Sequence, residues 1–253
     1  MIIKASPEEY PITLYLNNQE IGTFQMTRED LEDWAIGYLF SEGMIDGIED
    51  VVELKVHKEE GRVLVERQQS FSSEDFQEKK KIFTAGCGRG TTFFSLTDVK
   101  QFPRIVSDMK VSLTFLLKKR HEFSINSPMY LETGGMHGAC IVLESGEIVV
   151  REDIGRHNAV DKVIGFAIRN KIKPEGTILI TTGRISYEML AKAARFGFAV
   201  VGSRTAATKQ AVQLAKYLNL SVVGYIRGKM VTVYHSNGRI IDDLAKKAVG
   251  NIT

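Results

Sequence analysis

The chain has 253 residues, 43% hydrophobic and 25% charged, enough to bury an ample core as one large domain or two closely packed ones. Its 33 Lys and Arg against 31 Asp and Glu leave a formal net charge of +2, which excludes a general nucleic-acid binder but not a local basic cleft. No apolar run is long enough to span a membrane, the N-terminus lacks the basic-then-apolar pattern of a signal peptide, and Cys87 and Cys140 are too few for a disulfide framework, so a reducing, cytoplasmic setting is expected.

Residues 12–26 alternate as two strands around a turn at Asn17-Asn18. Thr27 reads as the N-cap of a helix with Glu29 and Asp30 in its first turn. Leu31, Trp34, Ala35, Tyr38 and Leu39 supply its apolar face, and Gly43 ends it. A second hairpin is expected from 51–56 and 63–67, and the polar stretch 68–81 reads as a mobile surface loop. Residues 139–143 and 148–151 flank a Ser145-Gly146 turn as a third hairpin. A helix follows with Val160, Val163, Ile164, Ala167 and Ile168 on its buried face.

Residues 177–182 (TILITT) and 199–202 are short continuous apolar runs, as in strands buried on both faces. Ser186 is placed to cap a helix ending at Gly197, and 205–218 reads as another helix. Strand 221–226 and a short, antiparallel 230–235 complete the chain. Strands alternating with helices of this length predict βαβ units, a largely parallel sheet and an α/β sandwich. The expected division is an N-terminal β-rich portion, 1–110, and an α/β domain, 111–253.

Three glycines surround Cys87 in Thr84-Ala85-Gly86-Cys87-Gly88-Arg89-Gly90. They permit left-handed backbone and a nest of N–H groups, which with Arg89 would favour a thiolate. The alternative is a small residue in a tight turn. The Gly86-x-Gly88-x-Gly90 spacing lacks the last interval of a dinucleotide fingerprint. His137 and Cys140, in Thr133-Gly134-Gly135-Met136-His137-Gly138-Ala139-Cys140, suggest a zinc deaminase. That signature, however, needs an acid where Ala139 stands and a Cys-x-x-Cys that the chain lacks, so no metal site is expected. Cys140 opens an apolar strand and reads as core. His137 is either packed or faces the site as a proton carrier.

Residues 151–162 (REDIGRHNAVDK) crowd charges onto a strand-to-helix junction. They are either a solvated surface or an anion site in which Arg156 and His157 sit at a helix N-terminus. Two further strand ends carry hydroxyls, backbone N–H groups and one arginine each: Gly183, Arg184 and Ser186 after one strand, Ser203 and Arg204 after the next. Ligands of open α/β sheets bind at such ends, so both turns are expected to line one crevice suited to phosphate or pyrophosphate. In Tyr225-Ile226-Arg227-Gly228-Lys229-Met230 a ring stands ready to stack on a base and two cations to meet phosphates; an ordinary basic hairpin turn is the alternative.

These segments together resemble the FdhD family, the sulfur-transfer accessory proteins of formate dehydrogenase. The resemblance covers LEDWAIGYLFSEGMI (31–45), the glycine-flanked Cys87, TGGMHGA (133–139), REDIGRHNAVDKVIG (151–165), GRISYEMLAKAARFG (183–197), 203–214 and 224–234. REDIGRHNAVDKVIG is its most specific part. It implies a three-layer α/β/α sandwich resembling the cytidine deaminases, with His137-Gly138-Ala139 standing like a deaminase motif stripped of its acid. It also implies a sulfurtransferase: a cysteine desulfurase loads Cys87 as a persulfide, and the sulfur passes to the bis-molybdopterin guanine dinucleotide form of the molybdenum cofactor, bound as cargo before it enters formate dehydrogenase. Residues 225–230 match the family's cofactor-binding segment, and a homodimer is implied. Many members carry Cys-x-x-Cys where this chain has Cys87 and Gly90, so no resolving thiol stands in the loop; a single persulfide needs none.

Two other readings remain open at the level of sequence. A molybdenum-cofactor chaperone would bind the cargo with Cys87 merely structural. A nucleotide hydrolase on the deaminase-like scaffold would need zinc and a general acid.

Overall fold

The computed structural model describes residues 5–68, 82–83, 91–92, 102–228 and 230–244, with the backbone alone at 82–83, 91–92 and 230. In chain order, β1 (Tyr10–Leu16) and β2 (Gln19–Met26) form the first hairpin. Asn17 and Asn18, at φ 49° and 61°, make the two-residue left-handed turn that matches strand twist. Helix α1 (Leu31–Ser41) ends where Gly43, at φ 72°, donates its N–H to the Phe40 carbonyl. A 3-10 turn (Ile48–Asp50) leads into β3 (Val51–His57) and β4 (Arg62–Arg67).

Next come β5 (Ile82–Phe83), β6 (Thr91–Thr92), β7 (Val111–Ser112), α2 (Leu113–Ile125) and α3 (Pro128–Thr133). They are followed by β8 (His137–Val142), β9 (Ile148–Asp153), α4 (Arg156–Arg169), β10 (Ile178–Thr181) and α5 (Tyr187–Phe196). The described chain closes with β11 (Val200–Ser203), α6 (Lys209–Leu218), β12 (Ser221–Arg227), β13 (Met230–His235) and β14 (Ile240–Ile241).

The chain folds as two compact units, and their boundary is not a single cut at 110. Met129–Gly138 and Arg151–Lys173 join the N-terminal part, while Pro103–Pro128, Ala139–Val150 and everything from Pro174 onward make the second unit. The division therefore falls inside β8 and β9. This is the mixed α/β class read from the sequence, but with the amphipathic helix of 156–169 belonging to the β-rich unit.

The first unit contains the sheet β2-β1-β4-β3, in which β1 and β4 run parallel and the other neighbours antiparallel. Phe24 of β2 meets the rings of Trp34 and Tyr38 edge-on, at 5.1 and 4.9 Å between centroids, which fixes α1 against β2. Helices α1 and α4 pack together through Gly37 and Gly165. Thr27 does not cap α1. The cap is Asp30, in left-handed conformation and without a side-chain capping bond, and the Thr27 hydroxyl turns instead to Asp153 and Lys162.

The second unit is organised by the sheet β13-β12-β11-β10-β8-β9. Only β10, β11 and β12 are parallel; β8 pairs antiparallel with β10 and β13 with β12, so the sheet is more mixed than the helix–strand alternation implied. The apolar runs that marked β10 and β11 are buried throughout. Val142, Ile178, Ile180, Val200, Val223 and Ile226 form one core with Leu116 and Phe123 of α2. Ser186 caps α5 by accepting from the Met189 N–H, and Gly197, at φ 104°, ends it as expected. Helix α6 starts at 209 rather than 205 because Ala207 is drawn into a bridge with Ile185 and Thr208 takes the cap.

Candidate functional site

Cys87, with the rest of its glycine-rich segment, lies outside the described residues. The other cysteine can be assigned. Cys140 lies in β8 opposite Ile180, has no solvent exposure, and burial pushes its thiol far above the ordinary range. A thiol so buried and so reluctant to ionise is inert as a nucleophile. The core role read for it from the sequence is the one it has.

In the first unit the REDIGRHNAVDK segment folds onto itself and onto Thr27. Asp153, at the end of β9, is fully buried and is the hub. Its Oδ2 accepts from the Thr27 N–H (3.2 Å), the Thr27 hydroxyl (3.1 Å) and Lys162 Nζ (2.8 Å). Its Oδ1 accepts from the Gly155 N–H (2.8 Å) and Asn158 Nδ2 (3.0 Å). Lys162, also fully buried, completes its three donations to the Thr27 hydroxyl (2.6 Å) and the Glu152 carbonyl (3.0 Å). Behind it, Asp161 accepts from the Ser41 hydroxyl, and Asp33 on α1 accepts from Arg151 and Arg169. The charges of this segment are thus largely internal rather than a solvated surface.

Two further residues of the segment, buried Arg156 and half-buried His157, stand at the start of the next helix. Arg156 and His157 occupy the first turn of α4, whose N-cap, Gly155, has an extended backbone and offers no side-chain cap. His137, half-buried at the start of β8, lies in the field of both. Desolvation, then the positive neighbours Arg156 and His157, hold its pKa below the ordinary value, with Asp153 opposing. Protonation of His137 is therefore disfavoured where it stands, while the helix N-terminus beside it adds positive field. Among the described residues no group of three or more His, Cys, Asp and Glu is placed to hold a metal ion.

In the second unit the carboxyl ends of β10, β11 and β12 are hydrogen-bonded to one another. The Ser203 hydroxyl donates to the Gly183 carbonyl (2.6 Å) and accepts from the Thr205 N–H (2.9 Å). The Arg204 N–H donates to the Thr181 carbonyl (3.0 Å), and the Tyr225 N–H to the Thr205 carbonyl (3.0 Å). Backbone and hydroxyl groups of the three turns are thus linked by hydrogen bonds. Their hydroxyls, however, serve the fold: Ser203 is wholly buried and Ser186 is engaged as a helix cap. Gly183 is buried, which leaves exposed Arg184 and half-buried Arg204 as the groups facing outward.

Tyr225 has a left-handed backbone, φ 50°, at a bulge where β12 loses register with β13. For a residue other than glycine this is strained and persists only where the surroundings impose it. Gly224 makes the close approach possible, since a Cβ there would lie 2.8 Å from the Thr205 carbonyl oxygen and 2.5 Å from the Tyr234 ring. The Arg227 guanidinium lies 5.2 Å from the Tyr225 ring centroid, and both side chains reach solvent. Ile226 points the other way, into the core, and does not face a ligand. Gly228 forms the exposed turn at φ 58°, Lys229 lies outside the described residues, and Met230 pairs with Arg227.

Sequence reasoning missed the Thr27–Asp153–Lys162 cluster. Its only signal was that Asp153 and Lys162 fall in the most specific motif of the chain, while Thr27 lies 126 residues from Asp153. It also missed the left-handed Tyr225, which no local pattern announces.

The model of the FdhD/NarQ family matches residues 7–241. Relatives described as sulfur carrier protein FdhD include one from Listeria innocua, 35% identical over 92% of this chain and 90% of its own length. Another is from Bacillus subtilis, 33% identical over 92% of this chain and 88% of its own length. The fold is also that of a crystal structure of a candidate formate dehydrogenase accessory protein from Desulfotalea psychrophila. That structure has a TM-score of 0.76 and 26% identity, and the match covers 93% of this chain and 90% of the other.

Proposed function

The chain belongs to the FdhD/NarQ family, and we propose that it is a sulfurtransferase of formate dehydrogenase maturation whose carrier atom is the Cys87 sulfur. One observation carries the choice of atom. The chain has two cysteines, and Cys140 is excluded by complete burial and a thiol held far from ionisation. A carrier that works through a persulfide then has Cys87 alone to use.

The chemistry asks little of the protein. The Cys87 thiolate attacks the outer sulfur of a cysteine desulfurase persulfide; a new S–S bond forms, the old one breaks, and the desulfurase thiolate leaves, so the exchange needs no outside oxidant. The outer sulfur would then pass to the cargo, the bis-molybdopterin guanine dinucleotide cofactor, on its way to formate dehydrogenase; the S–S bond at Cys87 breaks, the Cys87 thiolate leaves, and a two-electron reductant, either the reduced cargo metal or an external dithiol, takes the sulfur to sulfide. No second thiol in the loop is required, which accommodates Gly90.

Two sets of described groups suit the nucleotide part of that cargo. Arg184, Arg204, Tyr225 and Arg227 line the strand ends of the second unit, with cations for phosphate and a ring for a base. Arg156 and His157 offer a helix N-terminus in the first unit. No helix among the described residues is long and apolar enough to cross a membrane, in keeping with a carrier that works in the cytoplasm between soluble partners.

The test is complementation. In cells lacking their own carrier, Cys87→Ser should fail to restore formate dehydrogenase activity while the purified variant still binds guanosine diphosphate. Restored activity would sink the relay and favour a chaperone in which Cys87 is structural.

A further inference from the structure

The two compact units carry opposite charge. The second contains 16 Lys and Arg against 8 Asp and Glu, a formal +8, and the first contains 17 against 23, a formal −6. The +2 of the whole chain is the near-cancellation of those two values. Net charge does not specify a fold; it governs which charged ligands approach a surface, and how fast.

Pairing sharpens the contrast. In the first unit Arg28, Lys55, Lys58, Arg62, Arg151 and Lys162 each lie within ion-pair distance of a carboxylate. In the second, Arg104, Lys118, Arg184, Lys209, Lys216 and Arg227 are exposed, and none of the six forms an ion pair among the described residues. Arg184 and Arg227 stand at the strand ends described above. Lys118 lies within α2, Lys216 in the last turn of α6, and Arg104 beside Ile105, whose N–H donates to the Leu218 carbonyl at the far end of α6.

Cations that touch no ligand still act through their field, over a reach that salt sets. The screening length is about 8 Å at 0.15 M and about 30 Å at 0.01 M. A body of somewhat more than 100 residues has a radius of gyration of about 13 Å. In dilute salt every cation of the second unit therefore acts on an approaching anion, and in concentrated salt only those in contact with it do.

We propose that the second unit is the polyanion receiver of this chain: its summed charge draws the phosphates of the nucleotide cargo to the carboxyl ends of β10, β11 and β12, and the acidic first unit takes none of them. Arg184, Arg204 and Arg227 then meet the phosphates, and Arg156 does not. This rests on the reading of the cargo as a nucleotide, and the two fail separately.

The probe is N-methylanthraniloyl guanosine diphosphate, mixed with the full-length protein in stopped flow at about 10 mM salt, where screening is weak, and at about 0.5 M, where it is nearly complete. Arg184→Gln/Arg227→Gln tests the reading: wild-type affinity in that variant, or no binding by the wild type, would overturn it together with the proposal. Arg104→Gln/Lys118→Gln/Lys216→Gln tests the steering. In dilute salt its association should be roughly threefold slower or more, with dissociation unchanged, and in concentrated salt it should match the wild type. Adding Glu9→Gln/Glu20→Gln/Glu49→Gln in the first unit returns the chain to a formal +2 and should leave association slow. Wild-type association in the first of these variants, faster dissociation, or recovery on neutralising the three glutamates would overturn the proposal.

Discussion

Gly37 on α1 and Gly165 on α4 lie against each other so closely that neither helix has room for a methyl group. A Cβ on Gly37 would sit 1.8 Å from the Asp161 carbonyl oxygen, and one on Gly165 would sit 1.7 Å from that of Asp33. Both obstacles are backbone and cannot swing aside.

Gly37→Ala and Gly165→Ala should therefore each destabilise the protein. Alanine is worth about 1 kcal/mol more than glycine in a helix interior, but forcing two backbones apart costs roughly 3 kcal/mol. The net loss should appear as a drop in Tm of several degrees, about 3 °C for each kcal/mol in a chain of this size. A higher Tm in either variant would mean the helices do not cross at these glycines.

The two thiols should differ in kind. Native protein treated with a thiol reagent at neutral pH should modify one cysteine, and unfolded protein two. Cys140→Ala should leave the native count unchanged. Rapid native modification of Cys140 would contradict its place in the core.

Acid should act through His137. Its folded pKa lies below its unfolded value of 6.5, because burial and the neighbouring Arg156 and His157 disfavour the imidazolium. As pH falls through 6.5 toward the folded value, the unfolded state takes up the proton first, so stability falls with pH across that window. His137→Gln removes this contribution. Thermal unfolding from neutral to mildly acidic pH should show the wild type losing ground to His137→Gln; a constant gap between the two would contradict the assignment.

Tyr225 should separate stability from binding. Asparagine tolerates the left-handed conformation better than tyrosine, so Tyr225→Asn relieves backbone strain while removing the ring. Its Tm should stay near that of the wild type. Its affinity for guanosine diphosphate should fall about tenfold, the value of one base–aromatic stack. Unchanged affinity would take Tyr225 out of the nucleotide site.

Local patterns were legible where the physics is local. The Asn17-Asn18 turn, the Ser186 and Gly197 ends of α5 and the buried strands β10 and β11 each announce themselves within a few residues. Thr27 shows where that stops. It has the chemistry and position of a helix cap, but Asp153 and Lys162 compete for its hydroxyl from far along the chain and win. Ser203 is similar: a hydroxyl at a strand end suggested phosphate, and the Gly183 carbonyl claims it. The start of α6 moved because the bridge between Ile185 and Ala207 outweighs helix propensity at 205–207. The candidate residues could be picked out as residue types; which of them face outward depends on long-range partners.

The central claim is that Cys87 carries the sulfur. Intact-protein mass spectrometry after incubation with a cysteine desulfurase and cysteine tests it most directly, on wild type, Cys87→Ala and Cys140→Ala. The expected result is a reducible gain of one sulfur in wild type and Cys140→Ala, absent from Cys87→Ala. No gain in wild type beside a demonstrably active desulfurase, or a gain that survives in Cys87→Ala, would contradict it.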